Sequence, residues 1–156
     1  MKKSSVFLLI LSASWLLTSC GGLLGRAIDP DRGGSGNFTA TVDGKSWKAD
    51  QVSAISLFGY FTMTANKGEN EYFSVSFLPD QINIGKSYSF DGEESGKFAV
   101  TFINDQGTFV PATGTIRITS FRDNRTLEGE MEFESLDLTG KTIQVKNAKF
   151  KASIVL

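Results

Sequence analysis

Histidine is absent from this sequence of 156 residues, and cysteine occurs once, at Cys20. Without histidine, a Ser-His-Asp triad is excluded and zinc lacks its usual nitrogen ligand. A lone cysteine cannot form an intramolecular disulfide, so the hydrophobic core must stabilise the fold. No spacing of the remaining residues signals catalysis. We therefore expect a non-catalytic protein with no cofactor and no metal site.

An excess of charge of either sign is also lacking. The chain has 16 Lys and Arg against 17 Asp and Glu, which gives a net charge of −1. A protein that captures nucleic acid needs a basic surface, whereas these lysines and arginines are spread among acidic residues. The sequence predicts no nucleic-acid partner.

The longest apolar stretch lies at the N-terminus. Lys2 and Lys3 precede an apolar segment from Val6 to Leu17, and small residues follow it. This order is typical of a secretory signal peptide. The segment is shorter than the roughly 20 apolar residues needed to cross a bilayer. We therefore predict a signal peptide over residues 1–19 rather than a transmembrane helix.

The segment Leu17-Thr18-Ser19-Cys20 resembles the lipobox of bacterial lipoproteins. The resemblance implies that the Cys20 sulfur carries a diacylglyceryl group, that cleavage precedes Cys20 and that the new N-terminus is acylated. Each buried CH₂ contributes about 0.8 kcal/mol, so two or three chains form a lasting anchor. A sulfur held in this thioether is excluded from nucleophilic attack, metal binding and disulfide formation.

Residues 20–36 are predicted to form the acylated cysteine and a flexible tether, because GGLLGRAIDPDRGGSG is rich in glycine and has no period. As a random coil this segment spans roughly 20 Å. By analogy with bacterial lipoproteins, many of which are retained in the inner membrane by an Asp after the cysteine, Gly21 implies the bacterial outer membrane. Some groups of such lipoproteins mark surface exposure with acidic residues after the cysteine; residues 21–27 have none, and the analogy favours the periplasmic face over the cell surface.

Residues 37–156 read as a single all-β domain. Phenylalanine is abundant, and short runs alternate apolar with polar residues, as half-buried strands do. Asp43-Gly44 is a strong signal for a hairpin turn. We predict an antiparallel meander of about 8–10 strands, forming a sandwich or a partly closed barrel.

The pairing of the last strands can be predicted from their two faces. A turn over residues 122–125 would place Ile116 opposite Met131 and Ser120 opposite Leu127 inside, and Arg117 opposite Glu130 outside. A turn centred on residues 140 and 141 would place Leu136 opposite Val145 inside. Both strands of this second pair change their inward parity at one level, which predicts a paired bulge there.

Two groups of side chains invite a functional interpretation. Glu128, Glu130, Glu132 and Glu134 alternate along one strand, and a solvated ladder facing basic neighbours is favoured over a metal site or an acid/base pair. The aromatic residues Trp47, Phe58 and Tyr60 could face a ligand, although core packing is the commoner role of aromatics in strands.

Leu57-Phe58-Gly59-Tyr60-Phe61 is the exception among the aromatic segments, because four large apolar residues around a glycine cannot all face one side. If the domain has a ligand site, we expect Phe58 or Tyr60 in its wall.

Four segments resemble uncharacterised lipoproteins common in Bacteroidota, in a family whose mature domain is all-β. They are FTATVDGKSWKA at residues 38–49, GTIRIT at 114–119, LEGEMEF at 127–133 and VKNAKF at 145–150. The resemblance brings no established activity. Only Cys20 takes a role from it, as the site of lipid attachment.

Together these features predict a lipid-anchored cell-envelope lipoprotein that serves as a binding module for an apolar or glycan ligand. The alternative is a structural or assembly subunit of an envelope protein complex. The predicted partners of the protein are the membrane, through the anchor, and a small apolar ligand, a glycan or an envelope protein.

Overall fold

The computed structural model describes residues 35–122, 125–136 and 139–154. The predicted signal peptide, Cys20 and the predicted tether up to residue 34 lie outside these residues. Those described belong to one compact unit, Gly33–Leu156. They form these strands: β1 Gly36–Val42, β2 Lys45–Lys48, β3 Gln51–Leu57, β4 Tyr60–Lys67, β5 Glu71–Phe77, β6 Ser87–Ser89, β7 Phe98–Asn104, β8 Gly107–Arg122, β9 Thr126–Leu136 and β10 Thr142–Ser153.

The strands form one antiparallel sheet that curls into a half-barrel. Their order is β2-β1-β10-β9-β8-β7-β5-β4-β3, and β6 pairs with β8 off this path. The predicted all-β fold is therefore confirmed. Neighbours in the chain are mostly neighbours in the sheet, except that β1 pairs with the last strand, β10. Short 3₁₀ turns occur at Pro79–Gln81 and Ser95–Lys97, and no helix in the described segments could span a membrane.

The sheet curls because the chain passes from one of its edges to the other between β2 and β3. The Ala49 amide donates to the Phe38 carbonyl at 2.9 Å, which extends the β1–β2 ladder. Gly36, at the start of β1, then packs against Val52 of β3: a Cβ at Gly36 would lie 2.9 Å from Val52 Cγ1. The edge strand β3 therefore begins beside the start of β1.

Aromatic rings fill the middle of the core. Phe73 stacks on Phe38 and on Phe102, with ring centroids 4.7 and 4.3 Å apart. Each fully buried large apolar side chain contributes about 1.5–3 kcal/mol. Phe150 of β10 adds its ring over Gly129, where any Cβ would lie 2.4 Å from the ring. Only glycine leaves room for Phe150 at this position.

The register of β8 and β9 confirms two predicted pairs. Ile116 lies opposite Met131 and Arg117 lies opposite Glu130. The Arg117 Nε atom donates to Glu130 Oε1 at 3.0 Å. The third predicted pair, Ser120 with Leu127, is wrong, because a bulge between Ile118 and Ser120 shifts the ladder by one residue and Phe121 faces the buried Leu127 instead.

The predicted register of β9 and β10 is wrong. Val145 lies opposite Phe133, three positions from the predicted Leu136. The bulge between Val145 and Ala148 exists on β10, but β9 alternates without a break and buries Ser135, which is 1% exposed. Ser135 is tolerated inside because its hydroxyl donates to the Val110 carbonyl at 2.5 Å. Leu136 consequently points outward.

Candidate functional site

The hairpin between β3 and β4 ends in an apolar tip, which we define as Leu57, Phe58, Gly59 and Tyr60. Leu57 pairs with Tyr60, so Phe58 and Gly59 form a two-residue turn. Both turn residues have positive φ, 52° at Phe58 and 83° at Gly59, as a type I′ turn requires. This turn type matches the twist of the two strands.

Phe58 is an unfavourable residue for its position. Asn, Asp and Gly are preferred at the first place of a type I′ turn, whereas the left-handed conformation costs other residues roughly 1–2 kcal/mol. The equivalent hairpin between β1 and β2 follows the rule with Asp43, φ 47°, and Gly44, φ 78°. The chain therefore tolerates local strain to hold an aromatic ring at the apolar tip.

The apolar tip is also unusually exposed. Phe58 is 93% exposed, Leu57 56% and Tyr60 54%. Large apolar side chains that lie together on a surface commonly mark a site of interaction with another molecule or with a membrane. Phe58 and Tyr60 were predicted from the sequence. Leu57 was missed, although the burial of Val52 and Ala54 on the same strand implies by alternation that Leu57 points outward.

The base of the tip is firmly packed. Phe61, the residue after Tyr60, is fully buried and its ring lies 5.1 Å from that of Phe77. The ring of Phe121 closes the group, at 5.7 Å from Phe61 and 6.1 Å from Phe77. The exposed rings therefore stand on a rigid part of the core.

The apolar tip lies at the end of the domain where the chain enters. Ser35 precedes β1, and its carbonyl accepts a hydrogen bond from the Ser153 amide at 2.9 Å. Each neighbouring pair in the sheet from β1 to β3 is antiparallel, and the seven pairings leave β3 antiparallel to β1. From Val52, which packs beside Gly36, β3 therefore runs beyond the start of β1. Five further residues at about 3.3 Å each carry Leu57 roughly 16 Å past this point. We call this the entry end.

The structure does not bring Trp47 to the apolar tip. Trp47 is 3% exposed, and its ring lies 4.8 Å from Phe73 and 5.4 Å from Phe38. Its indole Nε1 donates to Glu71 Oε2 at 2.9 Å. These contacts give Trp47 a place in the core, and its role in facing a ligand stays a prediction.

Two open depressions lie on the outer face of the sheet, across β8, β9 and β10. One encloses about 340 Å³ beside Thr113 and Gly114, and the other about 250 Å³ beside Ser87 and Arg117. Glu132 lines both of them. Their walls are mostly polar or charged side chains, so neither depression is an enclosed aromatic pocket.

The row of glutamates on β9 makes separate contacts with its neighbours. Glu128 pairs with Lys151 at 2.8 Å, Glu130 bonds to Arg117, and Glu134 accepts a hydrogen bond from the side-chain amide of Gln144 at 2.9 Å. The hydrogen bond from Lys151 is the main cause that lowers the pKa of Glu128 below its ordinary 4.5. This arrangement is that of a solvated ladder of charges.

A second charged group lies over Tyr88. The Nζ atoms of Lys86 and Lys97 each lie 5.1 Å from the centre of its ring. Glu94 accepts a hydrogen bond from Lys86 at 2.7 Å, which raises the pKa of Lys86 and lowers that of Glu94. This group ties the chain between β6 and β7 to the barrel.

In residues 35–122, 125–136 and 139–154, no three His, Cys, Asp or Glu side chains come together as a metal site requires. Cys20, the predicted site of lipid attachment, lies outside the described residues, and its modification stays a prediction.

The curled sheet and its surface hairpin define an all-β half-barrel domain that presents an apolar tip. A family described as "Domain of unknown function (DUF6252)" matches residues 35–152, and the chain belongs to this family. The comparisons with curated proteins and with solved structures each return no match.

Proposed function

We propose that this protein is a lipid-anchored lipoprotein of the bacterial cell envelope, of the type found in Bacteroidota, whose β-domain is a non-catalytic binding module. Acylated Cys20 is its anchor to the outer membrane, on the periplasmic face, and the apolar tip is its binding surface. The observation that carries the proposal is Phe58, an aromatic residue held at positive φ and 93% exposed.

The exposed rings support a binding role because they are costly to the fold. Phe58 gains almost no burial within the domain, and its backbone conformation is strained. Strained residues are often found at functional sites, where the surrounding structure holds them in place. In this domain the packed base formed by Phe61, Phe77 and Phe121 holds the strained turn.

The chemistry of the apolar tip favours an apolar ligand over a glycan. A glycan site combines aromatic faces with several hydrogen-bonding groups, since sugars are covered by hydroxyls. Within the sequence Leu57-Phe58-Gly59-Tyr60, only Tyr60 has a polar side-chain atom. The tip also projects from the domain, as a group that enters an apolar phase would.

Membrane fractionation tests the anchor. The wild-type protein should pellet with membranes and resist extraction by high salt, whereas Cys20→Ser should give a soluble or uncleaved protein, since the sulfur that bears the lipid is gone. Unchanged retention of a cleaved Cys20→Ser protein would contradict the anchor.

Binding of an apolar fluorophore tests the tip. The folded lipoprotein is cleaved within the tether, through an introduced protease site, and the released domain is titrated with the dye. Phe58→Asn should weaken binding several-fold because it removes the most exposed ring. Val110→Asn, at an apolar residue 54% exposed elsewhere, serves as the matched control. Equal binding by the two variants would exclude the tip as the binding surface.

A second candidate function is a subunit of an envelope assembly. It is favoured by Val110 and Leu136, which face each other across β8 and β9 and are both half-exposed. Val110→Asp combined with Leu136→Asp should then release a partner that co-purifies with the wild type.

The edge strand β2 is a poor site for pairing with a strand of another protein, because it is short and carries Lys45 and Lys48.

A further inference from the structure

We infer that the apolar ligand of the tip is the lipid–water interface of the same membrane that holds the anchor. Leu57 and Phe58 enter the upper acyl region, and Tyr60 lies at the level of the head groups. This inference rests on the proposed function, because it requires acylation of Cys20. It adds a second, non-covalent contact that orients the domain on the membrane.

The position of the apolar tip is the first argument. Cys20, the proposed site of lipid attachment, precedes β1 in the sequence, and the chain enters the domain at Ser35, at the entry end. The tip projects from this same end, along the direction in which β3 runs past the start of β1. A domain suspended from its N-terminus therefore presents its most exposed aromatic ring on the side where the chain arrives.

The lengths of the two connections also agree. Residues 21–35, which the sequence predicts to form a flexible tether, separate Cys20 from the domain, and a random coil of this length spans roughly 20 Å. The apolar tip extends roughly 16 Å beyond the point where Val52 meets Gly36, at about 3.3 Å per residue. The tip therefore reaches the bilayer at ordinary extensions of the tether.

The side chains around the tip suit a membrane interface. The ring of Phe121 contacts that of Phe61 beneath the tip, so Arg122 and Arg125 of the following turn lie at the entry end. Both arginines are exposed, as is Asp80, which follows Phe77 by three residues and lies near the same packed base. Tyrosine and arginine beside buried apolar residues are the usual anchors at a head-group layer.

The anchor makes a weak contact sufficient. A group tethered within a few tens of ångströms of its partner acts at an effective concentration in the millimolar range. Two or three exposed apolar side chains would not hold a free protein on a membrane. With the lipid in place, the same side chains only decide which face of the domain meets the bilayer.

Tryptophan reporters of equal exposure at the two ends test the inference. Tyr60→Trp reports on the apolar tip and Val110→Trp on the opposite end, since Tyr60 and Val110 are both 54% exposed. Each full-length lipoprotein is reconstituted through its anchor into vesicles of phosphatidylethanolamine and phosphatidylglycerol. The lipids are brominated near the top of the acyl chains. The signal of the parent protein, which retains buried Trp47, is subtracted.

We expect bromine quenching several-fold stronger for the Tyr60→Trp protein than for the Val110→Trp protein, with emission shifted to shorter wavelength. A second variant, Tyr60→Trp with Phe58→Asn, should lose most of this difference while remaining folded by circular dichroism. Replacing both Arg122 and Arg125 by Ser should reduce the quenching to a smaller extent, and only in vesicles that contain the anionic lipid.

Two results would overturn the inference and leave the anchor standing. The first is flotation of both proteins with the vesicles but equal quenching. The second is an indole at position 60 that is shielded from aqueous acrylamide yet not quenched by lipid, since a second copy or another protein would then cover the tip. Failure to float, with an unmodified Cys20 by mass spectrometry, would overturn the proposed function and the inference together.

Discussion

The two hairpins that begin at β1 and at β3 share one backbone geometry and differ in one residue. Asp43-Gly44 and Phe58-Gly59 both adopt positive φ at both turn positions. The Asp43 carboxylate accepts a hydrogen bond from the backbone amide of Gln144 at 2.8 Å, which ties the first turn to β10. The Phe58 side chain has no polar atom and cannot form such a hydrogen bond. The first turn serves the fold, and we propose that the second serves binding.

The opposite ends of the barrel repeat this contrast. The Asp43 turn lies beside β10, whose Thr142 pairs with Leu136 near the polar loops. Lys141 there donates to Gln106. The apolar tip lies at the entry end. The same turn conformation therefore occurs twice: as a polar turn that is hydrogen-bonded to β10 at one end, and as an apolar turn that projects from the domain at the other.

The largest expected effect tests whether both hairpins are rooted in the same core. Trp47→Ala and Phe61→Ala each remove a buried ring at the base of one hairpin. Each should lower the free energy of unfolding by about 3–5 kcal/mol, measured by chemical denaturation. Trp47→Phe, which keeps a ring but loses the bond to Glu71, is the milder control. If Phe61→Ala were nearly neutral, the apolar tip would stand on no rigid base.

A smaller effect is expected from giving the first turn the residue of the second. Asp43→Phe loses the bond to Gln144 and adds strain at positive φ. It should lower the free energy of unfolding by about 1–2 kcal/mol in the same assay. Asp43→Asn, which suits the turn, should stay close to the wild type. If Asp43→Phe left the free energy of unfolding unchanged, the two turns would not differ in the residues that they tolerate.

The reverse change should separate stability from function. Phe58→Asn places a favoured residue in the second turn and should raise the free energy of unfolding by roughly 0.5–1 kcal/mol. The same variant should lose the lipid contact reported by the Tyr60→Trp protein. A thermal melt and the quenching assay, run on one preparation, check both parts. Loss of stability together with loss of contact would mean that Phe58 is structural.

The smallest effect concerns the charge pair near the entry end. The folded pKa of Glu128 is lowered by its bond to Lys151, so the unfolded chain takes up this proton first on acidification. The pair therefore stabilises the fold above the ordinary pKa near 4.5, and this contribution is lost as pH falls through the lower, folded value. Both side chains are solvent-exposed, so the effect is slight and screened by salt.

Glu128→Gln should flatten the acid side of the stability–pH curve slightly, as measured by denaturation at several pH values. Lys45→Gln, on the edge strand β2, offers a comparison for a change of charge elsewhere. If the unfolding free energy of the Glu128→Gln protein changed with acid pH as it does in the wild type, the pair would contribute nothing to the pH dependence of stability.

Much of the fold could be read from local patterns. Alternation of apolar and polar residues predicted the strands, and Asp43-Gly44 predicted its hairpin. The pairing of Arg117 with Glu130 followed from matching charges on one face. The register of β10 could not be predicted, because a buried Ser135 looks like an outward residue until the Val110 carbonyl is known to receive its hydrogen bond.

The candidate site was predicted in part. Phe58 and Tyr60 were singled out because large residues around Gly59 cannot share one face. Trp47 was grouped with them for its chemistry alone, and the structure places it in the core. Whether an aromatic residue is buried or exposed depends on which other residues pack over it, and these residues belong to strands distant in the sequence.

The sequence by itself determined that this is an all-β protein with a disulfide-free, aromatic-rich core, since these properties depend on composition and on a period of two. Only the tertiary structure decided that β1 pairs with β10 and that β3 runs past the point of chain entry. These are contacts between distant segments, governed by how the curled sheet closes. They place the exposed ring of Phe58 at the end of the domain where the chain arrives.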